Sequence, residues 1–140
     1  YRTALLCMIF SSLERLDELK MLQMALIHDL PEIIVGDLTP SEKATAHKIS
    51  EEDAMKSLLS LLPKEVESKY TNLWHEYARG KTAEAKVVRQ LEKLEMALQA
   101  REYEEARVAK ESLEEFIKSA EESISYPAIR ALFSSIFSSV

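Results

Sequence analysis

Glycine occurs only at Gly36 and Gly80 in this chain, and proline only at Pro31, Pro40, Pro63 and Pro127. So few turn formers in 140 residues leave long helices and short connections as the main folding option. Apolar residues recur at spacings of three and four, and no useful run alternates apolar with polar as a strand would. The expected fold is all-α: a single domain over residues 1–140, with about six or seven helices around one core. The length suffices for such a core, and 46% apolar with 30% charged residues is ordinary globular composition.

Residues Tyr1 to Leu13 read as a first helix, with Ala4, Leu5, Met8, Ile9 and Leu13 apolar and Ser11-Ser12 weakening its end. Cys7 lies in that apolar run and reads as core. Asp17 is the expected N-cap of the next helix, which runs from Leu19 to Leu30 and is apolar nearly all round, as an interior helix is. Beyond Pro40, Ser41 is a candidate cap, and Ser41 to His47 reads as a polar connection. Ser50 caps a helix to Leu62, with Ala54, Leu58, Leu61 and Leu62 facing inward. Pro63 opens the next, which carries Val66, Tyr70, Leu73, Trp74 and Tyr77 and stops at Gly80. Thr82 caps the longest helix, whose apolar stripe is Val87, Val88, Leu91, Leu94 and Leu98. Leu113, Phe116 and Ile117 mark one more helix after a charged stretch, and Pro127 starts the last, with Ile129, Leu132, Phe133, Ile136 and Phe137.

The stretch from Leu26 to Asp37 places four ionisable residues, His28, Asp29, Glu32 and Asp37, in apolar sequence. Burying them without partners costs several kcal/mol, on the order of 2–7 for even an uncharged polar group. On a helical wheel Leu19, Leu22, Leu26 and Leu30 form one stripe that includes Asp29, while His28 lies beside Met21 and Ala25. An imidazole and a carboxylate at the end of a buried helix suit a divalent metal. The plainer alternative is a helix end with a C-terminal His and a capping Asp. Pro31 disfavours a helical Leu30 and opens a new turn, so His28 and Glu32 are not an i,i+4 pair. Glu32 and Asp37 are expected over the metal rather than on it.

The pattern His28-Asp29-x-x-Glu32-x-x-x-Gly36-Asp37-x-x-Pro40 resembles the HD-domain phosphohydrolases. More closely it resembles their 5′-deoxynucleotidase branch, which removes phosphate from deoxyribonucleoside 5′-monophosphates. Tyr1-Arg2-x-Ala4-Leu5, Leu73-Trp74-His75-Glu76-Tyr77 and Glu84-Ala85-Lys86 leading to Lys93-Leu94-Glu95-Met96 fit that branch in order. The resemblance implies the HD-domain fold and a metal held by a first His, the pair His28 and Asp29, and a distant Asp. The first His falls just ahead of Tyr1, so the N-terminal part that carries it is not in this sequence. The distant Asp aligns with Glu92, a departure by one methylene. Glu95 occupies a position where the family also has Glu and is read as partner to a basic or hydroxyl group.

By the same resemblance Glu32 orients or deprotonates the attacking water, Asp37 faces the phosphate and the leaving oxygen, and Glu76 contacts the substrate; the alternative for Glu76 is a solvated helix residue. The chain's three histidines, His28, His47 and His75, are too few for a dinuclear site. One divalent ion is therefore expected, with Mn, Co, Zn, Fe and Ni all compatible. His47 reads as a surface residue, and His75 as flanking the pocket.

The net charge of −6 argues against a nucleic-acid duplex as partner, since phosphate backbones require basic surface, but not against one nucleotide held through a metal. Few basic residues near the site disfavour a triphosphate. A single cysteine excludes a disulfide framework and fits a reducing, cytoplasmic setting. No apolar run reaches the ~20 residues of a membrane span. Phe133 and Phe137 on the last helix serve either a homodimer or the core. The readings compared are a metal-dependent 5′-deoxynucleotidase, another HD phosphohydrolase acting on triphosphates or signalling nucleotides, and a metal-free helical binding module.

Overall fold

A computed structural model describes residues 1–36, 50–107 and 113–137. Asp37, Pro40, Ser41 and His47 lie outside the described residues. The described helices are α1 (Arg2–Glu14), α2 (Glu18–Ile27), the single turn α3 (Glu32–Val35), α4 (Glu51–Leu59), α5 (Lys64–Arg79), α6 (Ala83–Glu105), α7 (Glu114–Ser123) and α8 (Pro127–Phe137). Local chemistry sets most of the boundaries. The Asp17 side chain accepts from the Lys20 N–H at 2.9 Å. Ser50 Oγ accepts from the Asp53 N–H at 3.1 Å, and Thr82 Oγ1 from the Ala85 N–H at 3.3 Å. Pro63 precedes α5, and Gly80, at φ 59°, turns the chain out of it.

Helix α6, 23 residues and so about 35 Å long, is the axis of the fold. It packs against α1, α2, α5, α7 and α8. Ala85, Val87, Val88, Leu91, Leu94, Ala97 and Ala100 are buried along it, and its alanines let neighbouring helices approach closely. Met21, Met24, Met55, Trp74, Ile129 and Phe133 complete the core around it. Phe133 is buried in the core, and the half-buried Phe137 is stacked on it at 4.5 Å.

The inner faces of α1 and α2 differ from expectation. On α1 the buried residues are Thr3, Cys7, Phe10 and Ser11, whereas Leu5, Met8, Ile9 and Leu13 are exposed. Ser11 does not end the helix; its hydroxyl donates to the Met8 carbonyl and the helix runs on to Glu14. On α2 the buried row is Met21, Met24, Ala25 and Ile27, while Leu19 and Leu26 face outward. Both helices are apolar on two sides, so periodicity alone does not select the inner one. Leu61 and Leu62, expected inside, are exposed beyond the end of α4. Cys7 is fully buried, and burial pushes its thiol pKa up to about 12, leaving it unreactive.

Candidate active site

Helix α2 stops at Ile27, and residues 28–31 turn the chain before α3. The His28 N–H bonds to the Met24 carbonyl, so His28 closes the last turn of α2 with its ring on the buried side. Pro31, buried, stands immediately before α3, and Glu32 is its first residue, half-buried, its own N–H donating to the Asp29 carbonyl at 3.0 Å. Gly36 leaves the turn at φ 89°, a conformation that L side chains rarely adopt.

The His28 side chain is 8% exposed and that of Asp29 63%, so a buried imidazole is paired with an accessible carboxylate. Nδ1 of His28 lies 2.8 Å from the Ala25 carbonyl and Nε2 lies 3.0 Å from Asp29 Oδ2. A carbonyl only accepts, so Nδ1 carries the hydrogen. In the neutral ring Nε2 is then an acceptor facing another acceptor, an arrangement that calls for a cation or a second proton between them. Burial disfavours the imidazolium, but the hydrogen bond and charge of Asp29, the charge of Glu92 and the Ala25 carbonyl outweigh it and raise the His28 pKa. An imidazole whose far nitrogen is anchored on a backbone carbonyl is how proteins present histidine to a metal. The donors at His28 and Asp29 therefore fit a divalent ion.

Tyr77, on α5, reaches both α2 and α6. Its ring meets the His28 imidazole edge-on, with centroids 5.5 Å apart. Its hydroxyl donates to Glu92 Oε2 at 2.5 Å. Burial, with the negative charge of Glu92, raises the Tyr77 phenol well above its usual range, so the hydroxyl stays a donor. Glu92 Oε1 accepts from Lys93 Nζ at 3.1 Å. Glu92 thus already meets a cation within the protein, the ammonium of its neighbour. Among the described residues no three His, Cys, Asp or Glu side chains converge closely enough to hold an ion. The described donors are the His28–Asp29 pair, with Glu92 joined to it through Tyr77.

The remaining expected residues lie elsewhere. Glu76 Oε1 is held by Lys20 Nζ at 3.2 Å, and the same ammonium lies 3.6 Å from Glu84 Oε2. Lys20 is eight residues before His28, ~12 Å along the helix. Glu76 there lines a shallow cavity of about 350 Å³ with Asp17, Gln23, Lys69 and Asn72. His75 pairs with Glu52 of α4 at 2.7 Å. Glu95 lies 3.6 Å from Arg2, the basic partner expected for it. Tyr77 is the residue that sequence reasoning missed. It reads as one more member of the apolar face of α5, and the available signal was that a buried tyrosine hydroxyl needs a partner.

The buried His28 imidazole and the adjacent Asp29 carboxylate stand at the end of α2 on an all-α scaffold. The HD domain model matches residues 1–130, and the chain belongs to that family. The chain is similar to proteins named 5′-deoxynucleotidase HDDC2. It is 37% identical to that of Homo sapiens over 139 residues, 97% of this chain and 67% of the relative. It is 37% identical to that of Xenopus laevis over 140 residues, 98% of this chain and 69% of the relative. With that of Dictyostelium discoideum it shares 35% over 144 residues, 94% and 76%.

Proposed function

We propose that this protein is a metal-dependent phosphomonoesterase that hydrolyses deoxyribonucleoside 5′-monophosphates to deoxynucleoside and phosphate. The observation that carries the reading is the His28 arrangement: an imidazole anchored through Nδ1, its Nε2 turned to the accessible Asp29 carboxylate. The HDDC2 relatives, by their name, are 5′-deoxynucleotidases and match nearly the whole chain.

In this reading His28, Asp29 and Glu92 hold one divalent ion, one of Mn, Co, Zn, Fe or Ni. When bound, the ion supplies positive charge for the phosphoryl oxygens and acidity for water. Glu32, at the head of α3, takes a proton from the attacking water as its oxygen bonds to phosphorus. The bond from phosphorus to the 5′ oxygen breaks, and Asp37 delivers the proton that this oxygen needs. The same reading gives Asp37 a share in substrate binding. Glu76 contributes to binding only if substrate draws it away from Lys20. The reading includes a cytoplasmic location, supported by the single buried thiol, and a homodimer, which sedimentation of the purified protein tests. No described helix is long and apolar enough to cross a membrane.

The deciding experiment is a phosphatase screen over nucleoside mono-, di- and triphosphates, with each metal restored to chelator-treated protein. Release of phosphate from dAMP and its congeners supports the proposal. Preference for triphosphates places the protein with other HD phosphohydrolases, and the absence of both bound metal and turnover leaves a helical binding module.

A further inference from the structure

Tyr77 makes two contacts, one with a residue at the end of α2 and one with a residue of α6. Its ring rests on His28 at the end of α2, and its hydroxyl is bonded to Glu92 in the middle of α6. The 2.5 Å bond to Glu92 is at the short end for a hydroxyl donating to a carboxylate, the strong charge-assisted class. The Arg89 guanidinium lies 5.8 Å from the centroid of the Tyr77 ring and is itself held by the Ala78 carbonyl at 2.7 Å, so the ring is braced on the side of α6 as well.

We infer that Tyr77 is a positioning residue: it fixes the Glu92 carboxylate in one rotamer and the His28 ring in one plane. The inference rests on the reading of His28, Asp29 and Glu92 as metal ligands. Its motivation is the extra methylene of Glu92. A glutamate has one more freely turning bond than an aspartate, and a ligand that samples several rotamers binds a metal less firmly. One hydrogen bond to Oε2 restricts that freedom without consuming the ligand, because an ionised carboxylate offers about four lone-pair sites. A hydroxyl also suits the task better than an ammonium would. It orients Oε2 without adding a second positive charge to the one that Lys93 places on Oε1. Residues that orient ligands in this way typically account for 10–100-fold in metal affinity.

Tyr77→Phe keeps the ring against His28 and deletes only the hydroxyl. Competition with a chromophoric chelator measures Co²⁺ affinity, the Co²⁺ absorption spectrum reports ligand geometry, and thermal unfolding of the metal-free protein reports the fold. The expected result is a loss of Co²⁺ affinity of about tenfold or more, an altered spectrum, and a kcat that falls more than KM changes, with metal-free unfolding close to wild type. A purely structural tyrosine would move the unfolding temperature and leave the spectrum alone. Glu92→Asp provides the second variant, because the shorter side chain draws the carboxylate away from the hydroxyl. In that background Tyr77→Phe should cost clearly less Co²⁺ affinity than in wild type. Wild-type affinity and spectrum in Tyr77→Phe, or full additivity with Glu92→Asp, overturns the inference. Glu92→Ala separates the two levels. If Glu92→Ala retains Co²⁺, the ligand reading fails. If Glu92→Ala loses Co²⁺ while Tyr77→Phe does not, only the role of Tyr77 fails.

Discussion

At the seam of α2, α5 and α6, Glu92 is met by the phenol of Tyr77 and by the ammonium of its own neighbour, Lys93. At the seam of α1 and α6, Glu95, three residues further on, faces the guanidinium of Arg2, which also holds Glu102 through two hydrogen bonds of 3.0 and 2.9 Å. Both carboxylates are half-buried on one helix. A guanidinium is always charged, and Arg2 gives its hydrogen bonds to Glu102 while meeting Glu95 as an ion pair. A phenol satisfies the geometry but leaves the charge, and Lys93, about a third exposed, can turn to solvent. One seam pairs its carboxylate with a permanent charge shared with Glu102; the other, more open, meets its carboxylate with a hydroxyl and a partly exposed ammonium. Residue type and helix position do not distinguish the two glutamates; their partners do.

The largest effect should come from emptying the open seam. His28→Ala and Glu92→Ala are each expected to remove bound metal and abolish phosphatase activity while the helical circular dichroism persists. Metal analysis of the purified variants checks this. Stoichiometric metal and full turnover in His28→Ala would mean that the ion, if any, is held elsewhere.

Next in size, Glu32→Ala should lose about 10²–10⁴-fold in turnover, the range for a positioned acid or base, while retaining the ion. Asp37→Asn should follow the same pattern. A Glu32→Ala protein that comes off the column without metal would move Glu32 among the ligands. Equal rates would remove it from the mechanism.

A smaller effect is expected in substrate choice. Deoxyribonucleotides should be cleaved faster than ribonucleotides, by no more than about 10²-fold, since a pocket shaped for the smaller group rejects an added hydroxyl only modestly. Steady-state rates on dAMP and AMP measure the ratio, and equal values count against the deoxynucleotidase reading.

What was legible in the sequence follows the range of the interactions. The caps at Asp17, Ser50 and Thr82, the start at Pro63 and the stop at Gly80 stand where expected, because a cap bonds only two or three residues away, whereas α4 ends at Leu59, short of the expected Leu62. The all-α architecture was legible for the same reason. The inner faces of α1 and α2 were not, because each helix offers the core two apolar sides and the choice belongs to neighbours distant in sequence. The candidate site divides likewise. His28 and Asp29 are adjacent in the chain and readable as a pair. The link from Tyr77 to Glu92 spans two helices and a turn, and the capture of Glu76 by Lys20 joins α2 to α5; neither leaves a local trace.

The smallest expected effect sharpens the contrast most. Glu95→Ala removes one of the two carboxylates around Arg2, and the bidentate bond to Glu102 remains. Arg2 keeps its charge and its principal partner, while the distance of 3.6 Å marks the Glu95 contact as an ion pair without a hydrogen bond. With both side chains partly exposed, water screens the pair, and such pairs are worth about 0–1 kcal/mol. Glu95→Ala should therefore lower the unfolding temperature by no more than a few degrees and leave metal affinity and turnover at wild-type values. Calorimetry and a Co²⁺ titration on one preparation give both numbers. A fall in Co²⁺ affinity comparable to that of Glu92→Ala would show that the two seams act on the ion together. An unfolding cost well beyond the range of a screened pair would show that Arg2 depends on Glu95 for more than charge.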